Sequence, residues 1–355
     1  MAKRRPSSTS PPKQSLAEID RQIVALLNVR ASHAKAESTD LADPQSWQTL
    51  QRRLARANNG PLTEETLDRV FRELQSGIRQ LRRPVHVAYL GPPYSYSHLA
   101  AIHRFGLSAV LVPVQAIPAV FEEVRTGNCD FGLVPLDNST DGRIADTLDS
   151  FARRSAPISG EVPMRIHHHL LGIGRRDEIR IVCSKPQAIS QCRQWLARHL
   201  PTATLEETAS TTAAAERAAM SADVAAVASR EAGKHYGLKT LAANIEDHPD
   251  NLTRFAVIGG NAPSPTGQDK MTVMFELTHQ PGALATAIGV FRRYELNLTW
   301  VESVPMPDIP NEYLFFVELE GHLEDPQVQQ AIRSLKPKTN RLEVLGSYPR
   351  SPVLE

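Results

Sequence analysis

The 355-residue sequence has no excess of charge of one sign and no long apolar run. It contains 40 basic and 39 acidic residues, so the overall charge gives no reason to expect nucleic acid as a partner. No apolar run approaches the roughly 20 residues that cross a bilayer. The basic, Ser/Pro-rich start MAKRRPSSTSPPKQ lacks the apolar core of a signal peptide. We therefore expect a cytoplasmic protein without a membrane partner, in which residues 1–14 are a disordered leader.

Cysteine is scarce, and several cofactor motifs are missing. Cys129, Cys183 and Cys192 show no CxxC spacing, which argues against a disulfide framework or a structural zinc site. In IHHHLLG, a strand would place His167 and His169 on one face, but no ligand cluster nearby completes a metal site, and local hydrogen bonding is the preferred interpretation. The sequence also lacks GxGxxG, GxxxxGK[ST] and GxSxG. It therefore predicts no metal and no cofactor.

What is present divides the chain into segments of different periodicity. A chain of 355 residues is too long for a single hydrophobic core, so two or three domains are expected. Residues 15–82 repeat apolar residues at helical spacing, which predicts two or three amphipathic helices, one beginning at Thr63. Residues 85–262 alternate short apolar runs with helical stretches, which predicts an α/β domain with largely parallel sheets. Among the predicted helices are SHLAAIHRFG, capped by Gly106, and QAISQCRQWLARHL. Residues 270–348 follow a βαββαβ order, which predicts a compact α+β unit.

The helices of residues 15–82 are too few and too narrow to build a full core within one chain. We therefore expect the chain to associate with itself, as a homodimer or a homotetramer.

Polar residues follow four predicted strands of the α/β segment. They are Ser95 and Ser97 in LGPPYSYSH, Asn138 and Ser139 in VPLDNSTDG, Thr211 in EETASTTAAAERA, and Thr253 and Arg254 in NLTRF. Such groups at helix starts bind anions, because free N–H groups and the helix dipole favour negative charge. Each loop alone is most simply a helix cap, as at Ser210 and Thr211. Four of them in one α/β domain predict a site for a small anionic substrate.

At these residues the α/β segment resembles prephenate dehydratase, over nearly all of residues 85–260. The resemblance rests on GPPYSYSHLAA, VPLDNSTDGRIADTLD, CSKPQAISQC and the long block AAVASREAGKHYGLKTLAANIEDHPDNLTRF. The N-terminal helices resemble the all-helical chorismate mutase domain of bacterial bifunctional proteins. HQPGALATAIGVFRRYELNLTWVESVP resembles an ACT regulatory domain. The resemblance therefore implies a bifunctional chorismate mutase/prephenate dehydratase with a two-lobed dehydratase domain like a periplasmic binding protein.

This resemblance implies a reaction and a set of site residues. Prephenate would lose water and CO2 to give phenylpyruvate, in L-phenylalanine biosynthesis. The catalytic residues implied are Thr253, which would serve the leaving hydroxyl, with Asn138 and Ser139. The implied substrate-binding residues are Ser95, Ser97, Gln191, Thr211 and Arg254. For Arg254, a structural ion pair is the alternative.

Control by L-phenylalanine as effector is also implied. The resemblance implies an effector site at Gly282, Ala283, Leu284, Glu302 and Ser303. The family's Glu-Ser-Arg-Pro motif reads Glu302-Ser303-Val304-Pro305 here, so we expect weaker or altered feedback.

Two other functions stay open. One is arogenate dehydratase, whose substrate carries an amine in place of the keto group. The other is a non-enzymatic amino-acid sensor, against which the intact Thr253, Asn138 and Ser139 argue.

The sequence departs most from the family in the mutase-like helices. Arg30, Ser76 and Gln80 match mutase ligands. Three other ligand positions do not carry the expected group, and they fall at Lys13, near Leu41 and at Ser46–Trp47. Since the mutase substrate is a dianion that needs several cations, we expect little mutase activity. A scaffold role is the alternative, and a shifted register could bring in Arg52 and Arg53.

The first dehydratase loop also departs from its pattern. Tyr94 stands where the family has glycine and loses the backbone freedom of that residue. The Thr-Arg-Phe and Asn-Ser elements are kept, so we still expect dehydratase activity.

Overall fold

The computed structural model describes residues 15–36, 44–140, 142–153, 156–305 and 313–355. The predicted leader, which includes Lys13, lies outside these ranges, and so does Leu41. Within them, the chain forms helices, then an α/β part with two sheets, then an α+β part, in the order that the sequence predicts.

Three helices open the described chain: α1 (Leu16–Ala36), α2 (Pro44–Ala57) and α3 (Glu64–Arg82). The predicted helix start at Thr63 is confirmed, because the Thr63 hydroxyl accepts a hydrogen bond from the Thr66 amide at 3.2 Å. The apolar side chains of α1 find little cover, since Leu16 is 80% exposed and Leu26 is 68% exposed. The helices therefore leave much of their apolar surface in contact with solvent within one chain.

Helix α3 rests on the α/β part through its buried side. The Ser108 amide donates to the Ser76 hydroxyl at 3.2 Å, and the Leu107 amide donates to the Glu73 carboxylate at 3.1 Å. Gly106 has a φ of +80°, and a Cβ there would lie 2.4 Å from the Ser76 Cβ. Only glycine allows this turn and this close contact.

The first lobe of the α/β part is one sheet with the strand order β2–β1–β3–β11–β5, in which β4 also pairs with β3. The strands are β1 (His86–Leu90), β2 (Val110–Val114), β3 (Phe131–Asn138), β4 (Gly142–Arg143), β5 (Ile158–Arg165) and β11 (Leu252–Gly259). Three helices belong to this lobe: α4 (Tyr96–Phe105), α5 (Ile117–Arg125) and α6 (Ala145–Arg153).

The second lobe is a sheet with the order β10–β6–β9–β7–β8. Its strands are β6 (His169–Gly172), β7 (Ile181–Ser184), β8 (Thr204–Glu207), β9 (Val224–Ala228) and β10 (Lys239–Ala242). Its helices are α7 (Pro186–Gln191), α8 (Arg193–His199), α9 (Thr211–Ala218) and α10 (Arg230–His235), with a 3₁₀ turn at Arg176–Glu178.

The prediction of largely parallel sheets is correct only in part. Strand β1 runs parallel to β2 and β3, and β7 runs parallel to β8 and β9. In contrast, β11 is antiparallel to β3 and β5, and β6 is antiparallel to β9 and β10. The chain leaves the first lobe after β5 and returns to it along β11. Apolar periodicity carries no information on this direction.

The prediction of one helix over QAISQCRQWLARHL is wrong. It forms α7 and α8, which meet at Cys192. The Asp247 carboxylate accepts hydrogen bonds from the Gln194 and Trp195 amides, both at 2.9 Å. A distant carboxylate therefore caps a second helix start inside the predicted one.

The C-terminal unit confirms the βαββαβ order. It consists of β12 (Asp269–Glu276), α11 (Ala283–Arg293), β13 (Leu298–Pro305), β14 (Tyr313–Glu320), α12 (Pro326–Leu335), a 3₁₀ turn at Lys336–Lys338, and β15 (Arg341–Pro349). The antiparallel sheet has the order β13–β14–β12–β15. One face packs on the two helices, with Phe275 and Phe291 in the same buried cluster. The other face packs on the first lobe, where Phe316 and Tyr348 join Phe151.

Among the residues that the structure describes, none of the helices is long and apolar enough to cross a membrane.

Candidate functional site

Thr253 and Arg254 lie within a strand, although the sequence places them in the loop before it. Strand β11 already begins at Leu252. Successive side chains of a strand point to opposite faces of the sheet, so these two neighbours face different surroundings. Thr253 contacts Asn138, while Arg254 contacts Asp137.

Asn138 holds the Thr253 hydroxyl from the neighbouring strand. The antiparallel register of β3 and β11 sets the two residues opposite each other. The Asn138 amide Nδ2 donates to Thr253 Oγ1 at 2.8 Å, and the Asn138 Oδ1 accepts from the Thr140 amide at 2.9 Å. Because the Thr253 oxygen accepts this bond, its O–H is directed elsewhere and can donate to a bound molecule.

A chain of buried side chains continues from this pair toward the second lobe. Asn138 Nδ2 also donates to Asn251 Oδ1 at 2.9 Å, and Asn251 Nδ2 donates to Gln191 Oε1 at 2.9 Å. The same Gln191 oxygen lies 2.8 Å from His168 Nε2, which must carry the proton because the amide oxygen can only accept. Asn251 is 1% exposed and His168 is 2% exposed. The network therefore fixes the orientation of every amide in it.

Ser139 contacts backbone groups rather than the Thr253 side chain. Its hydroxyl donates to the Asp250 carbonyl at 3.1 Å and accepts from the Leu252 amide at 2.9 Å. Ser139 thus fastens the end of β3 to the start of β11. This contact sets the strand end on which Thr253 depends.

The loop before α4 joins the two lobes. Ser95 caps α4 by accepting from the His98 amide at 3.4 Å, and Ser97 is buried in the first turn. Tyr94, at the family's glycine position, has a φ of +65°, and its ring stacks on His235 of the second lobe at 4.0 Å. The backbone therefore keeps a left-handed shape that glycine would adopt freely, and the tyrosine adds an aromatic contact between the lobes.

Thr211 lies at the start of α9, beside the same loop. Ser210 caps this helix by accepting from the Ala213 amide at 3.0 Å, as the sequence predicts. The next residue, Thr212, donates to the Pro93 carbonyl at 3.1 Å. The structure thus brings the α4 loop and the start of α9 together.

Tyr96 connects this group to the Thr253 network. Its hydroxyl donates to the His167 carbonyl at 2.6 Å, and its ring meets the His168 ring edge-on at 5.9 Å. Burial and the nearby Glu246 carboxylate raise the pKa of Tyr96 well above its ordinary value, so the phenol stays protonated. Both groups of predicted site residues therefore border the junction between the lobes.

The three adjacent histidines act through hydrogen bonds. The predicted strand begins only at His169, so His167 and His168 lie before it. His167 Nδ1 lies 2.7 Å from a Glu246 carboxylate oxygen, and His169 Nδ1 accepts from the Asn244 amide at 3.2 Å.

Arg254, predicted as a substrate-binding residue, lies in a network of ion pairs on the other face of the sheet from Thr253. Its guanidinium forms a two-pronged contact with Asp137, at 2.8 and 3.0 Å, and donates to Glu318 of the C-terminal sheet at 2.8 Å. Its side chain is 13% exposed. Burial alone would lower the pKa of Arg254, but the hydrogen bonds that it donates to Asp137 and the negative charge of Glu318 raise it. The structural ion pair, which was the alternative, is what the geometry supports.

The three residues that match mutase ligands, Arg30, Ser76 and Gln80, lie in different environments. The Arg30 guanidinium lies over the Phe71 ring at 5.4 Å, and its pKa is lowered by burial and by Arg53. Ser76 is buried beneath the loop at Ser108, while Gln80 is exposed.

A cavity of about 480 Å³ lies between α2, α3, α4 and the C-terminal tail. Arg30, Ser76 and Gln80 are not among its lining residues, and neither is Thr253. Trp47 is one of them, and its ring lies 5.6 Å from the Arg72 guanidinium. This cavity is therefore separate from Thr253 and from the three matched mutase residues, although Trp47 stands at one of the departed ligand positions.

The predicted effector residues lie on two elements of the C-terminal unit. Gly282, with a φ of +81°, precedes α11, and Leu284 in its first turn is 41% exposed, with Ala283 between them. Glu302 and Ser303 lie on β13 and contact Arg143 of the first lobe.

Sequence reasoning did not identify Asn251, His168 or Tyr96 as parts of the network. One signal for Asn251 was present, because it stands two residues before Thr253 and shares its side of an extended chain. His168 and Tyr96 are brought to the site only by the packing of the two lobes.

Two family models match this chain. The prephenate dehydratase model matches residues 87–263, and the chorismate mutase type II model matches residues 13–83. The two-lobed α/β fold and these matches define the class: a prephenate dehydratase domain that follows helices of the chorismate mutase type.

Similarity over the whole chain identifies the family within this class. The bifunctional chorismate mutase/prephenate dehydratase of Aquifex aeolicus (strain VF5) is 39% identical, over 97% of this chain and 98% of that protein. The chain belongs to the bifunctional chorismate mutase/prephenate dehydratase family.

Solved structures resemble the larger part of the chain. A prephenate dehydratase from Arthrobacter aurescens, solved in complex with L-Phe, has a TM-score of 0.69 and 31% identity, and covers 75% of this chain and 90% of its own. GqqA, described as a novel type of quorum quenching acylase, has a TM-score of 0.68 and 29% identity, and covers 75% of this chain and 98% of its own.

We predict that Gln191→Leu destabilises the protein by roughly 2 kcal/mol, because the hydrogen bonds to Asn251 and His168 are lost in a buried network. Chemical denaturation measures this change in the free energy of unfolding. Gln194→Leu is the matched control, since this exposed side chain lies just one helical turn away, and we expect a change within about 0.5 kcal/mol. Equal effects of both substitutions would contradict the network.

Proposed function

We propose that the α/β domain converts prephenate to phenylpyruvate, with Thr253 as the residue at the leaving hydroxyl. The observation that carries this assignment is the 2.8 Å hydrogen bond from Asn138 to the Thr253 oxygen. It orients the threonine so that its proton points away from Asn138, toward a bound substrate. Family membership at 39% identity over nearly the whole chain supports the reaction.

The reaction needs orientation more than a strong acid. When the C–CO2 bond breaks, its electron pair enters the ring, the ring becomes aromatic, and the hydroxyl leaves as water. The enzyme must therefore stabilise charge that develops on the departing oxygen. A threonine hydroxyl is a weak acid, so Thr253 hydrogen-bonds that oxygen, and the proton that completes the water comes from solvent.

The substrate carboxylates would be held where the two lobes meet. Helices α4 and α9 both begin there, and each presents unpaired backbone N–H groups and the positive end of its dipole. Ser95, Ser97 and Thr211 lie in these first turns. Asn138 would position Thr253 through its hydrogen bond, and Gln191 would position Asn251 in the same way. In this arrangement Arg254 contributes from the opposite side of the sheet, by holding Asp137.

Residues 270–348 would form an ACT-type regulatory domain that binds L-phenylalanine. The βαββαβ order supports this assignment, and so does the similarity to a prephenate dehydratase solved in complex with L-Phe. The effector residues would be Gly282, Ala283 and Leu284 before and in α11, with Glu302 and Ser303 on β13.

The helices of residues 15–82 would serve mainly as a scaffold. Trp47 packs under Arg72, and Ser76 accepts a bond from the α/β part, so both contribute to structure. Arg53 lies near enough to Arg30 to lower its pKa, which keeps open a mutase site in a shifted register.

We predict that Thr253→Ala lowers kcat for prephenate by about a hundredfold or more, with a smaller change in KM, because the lost bond acts mainly in the transition state. Following phenylpyruvate formation measures this. Thr253→Ser keeps the hydroxyl and should lose less than about tenfold. Thr240→Ala, on an exposed strand position of the second lobe, is the matched control. A Thr253→Ala enzyme with native kcat would refute the assignment. Parallel assays with arogenate establish which substrate is preferred.

We predict that chorismate is turned over at least about a hundredfold more slowly than prephenate, since an enzymatic dianion site needs several placed cations. The same purified chain, supplied with each substrate in turn, provides both rates. Rapid chorismate turnover would contradict this prediction. If Arg30 and Arg53 form the site responsible, Arg53→Gln should abolish that turnover and leave prephenate turnover unchanged.

We predict that the chain is a homodimer or homotetramer, because α1 exposes apolar side chains that one chain does not cover. Light scattering after size exclusion measures the mass. Leu26→Glu, at a position 68% exposed on α1, should weaken the assembly, whereas Leu107→Glu, at a position 70% exposed outside these helices, should not. A native monomer at all concentrations would contradict this prediction.

A further inference from the structure

Strand β13 of the C-terminal unit reaches two arginines of the first lobe. Arg143 lies 3.3 Å from a Glu302 carboxylate oxygen and also donates to the Ser303 carbonyl. The Trp300 ring, on the same strand, lies 5.6 Å from the Arg254 guanidinium carbon. One strand of the C-terminal sheet therefore contacts both arginines.

Arg143 belongs to the hairpin that carries Asn138. In the β3–β4 pairing, Arg143 stands opposite Asp137, and Gly142 stands opposite Asn138. A shift of the Arg143 backbone therefore moves the strand end whose amide side chain holds Thr253.

Arg254 fixes the same strand end from the other neighbour. It pairs with Asp137 in the register that sets Thr253 opposite Asn138. Its guanidinium grips the Asp137 carboxylate at 2.8 and 3.0 Å, and its third contact is Glu318 of β14. Thr299 of β13 donates to that Glu318 at 2.5 Å. A movement of β13 would therefore also reach the Asn138–Thr253 pair through Glu318, Arg254 and Asp137.

We infer that Arg143 and Arg254 couple the C-terminal unit to the dehydratase site, with Asp137 as their common point of attachment. The inference rests on the proposed regulation by an effector at Glu302 and Ser303. Arg143 and such an effector use the same two residues of β13. Effector binding therefore changes the contact that Arg143 makes, and a ligand needs such a differential contact to shift a conformational equilibrium.

Val304 of the effector motif packs in the same interface. Val304 is 8% exposed and packs in the cluster between the C-terminal unit and the first lobe. The guanidinium that contacts Glu302 is that of Arg143, in the first lobe of the same chain.

The test compares the native chain with Arg143→Gln, using prephenate turnover with and without saturating L-phenylalanine. Titration calorimetry on each protein establishes which concentration is saturating. In the native chain we expect saturating effector to change kcat/KM by about tenfold. In Arg143→Gln we expect that factor to fall below about two, while turnover without effector stays within about threefold of native.

Two further variants control this comparison. Arg143→Lys keeps a positive charge within reach of Glu302 and should restore part of the effector response. Arg125→Gln removes an arginine that pairs with Glu122 on α5 of the same lobe, away from β13, and should leave the response native. If Arg143→Gln binds the effector and responds as the native chain does, the coupling role of Arg143 is overturned and the proposed regulation stands. If calorimetry detects no binding to the native chain, the proposed regulation fails and the coupling fails with it.

Arg254 is tested through Arg254→Lys, which keeps the charge but loses the two-pronged grip on Asp137. We expect kcat to fall by about tenfold, KM to change less than about twofold, and the effector response to shrink. If Arg254 had only a structural role, Arg254→Lys would lower the thermal stability of the protein without affecting kcat more than KM. Native kcat and a native effector response in Arg254→Lys would overturn its part in the coupling.

Discussion

The antiparallel pairing of β3 with β11 is the constraint on which the site depends. It sets Thr253 opposite Asn138 and Arg254 opposite Asp137. Because side chains alternate along a strand, one pair faces the junction of the lobes and the other faces the C-terminal sheet. A slip of β11 by one residue would turn Arg254 toward the junction of the lobes and Thr253 toward the C-terminal sheet. The Thr253–Asn138 contact and the interdomain contact of Arg254 are thus two consequences of a single register.

Charge burial makes this register costly to disturb. Glu318 is 1% exposed, which would by itself raise its pKa, but Arg254 and Lys270 lower the pKa below its usual value. Its contribution to stability is therefore present above the ordinary carboxyl pKa, and it is lost as the pH falls through the lowered folded-state value. Lys270 also binds Glu161 at 3.0 Å, so charges of both signs meet in this interface. Removing one partner of such a buried pair typically costs about 3 to 5 kcal/mol.

On the opposite face, neutral amides perform the organising role. Asn138 and Asn251 each use donor and acceptor groups, Gln191 accepts through its side-chain oxygen, and together they connect Thr253 to the second lobe. This neutral network holds the Thr253 hydroxyl without placing a charge beside it. The charged network lies on the other face of the sheet, where it holds the strands in place. Arg254 therefore lies away from the Thr253 hydroxyl but still supports the strand that carries it.

Much of the fold followed from the sequence alone. Helical periodicity, the caps at Thr63 and Ser210, the end of α4 at Gly106 and the βαββαβ order all depend on neighbours along the chain, and such local signals can be read from one sequence. The Thr-Arg-Phe and Asn-Ser elements likewise indicated the family. The sequence did not specify the direction of β11, the break at Cys192 or the face that Arg254 occupies. These depend on residues far apart in the chain, since Asp247 caps α8 and Glu318 binds Arg254 only after the lobes and the C-terminal unit have packed together.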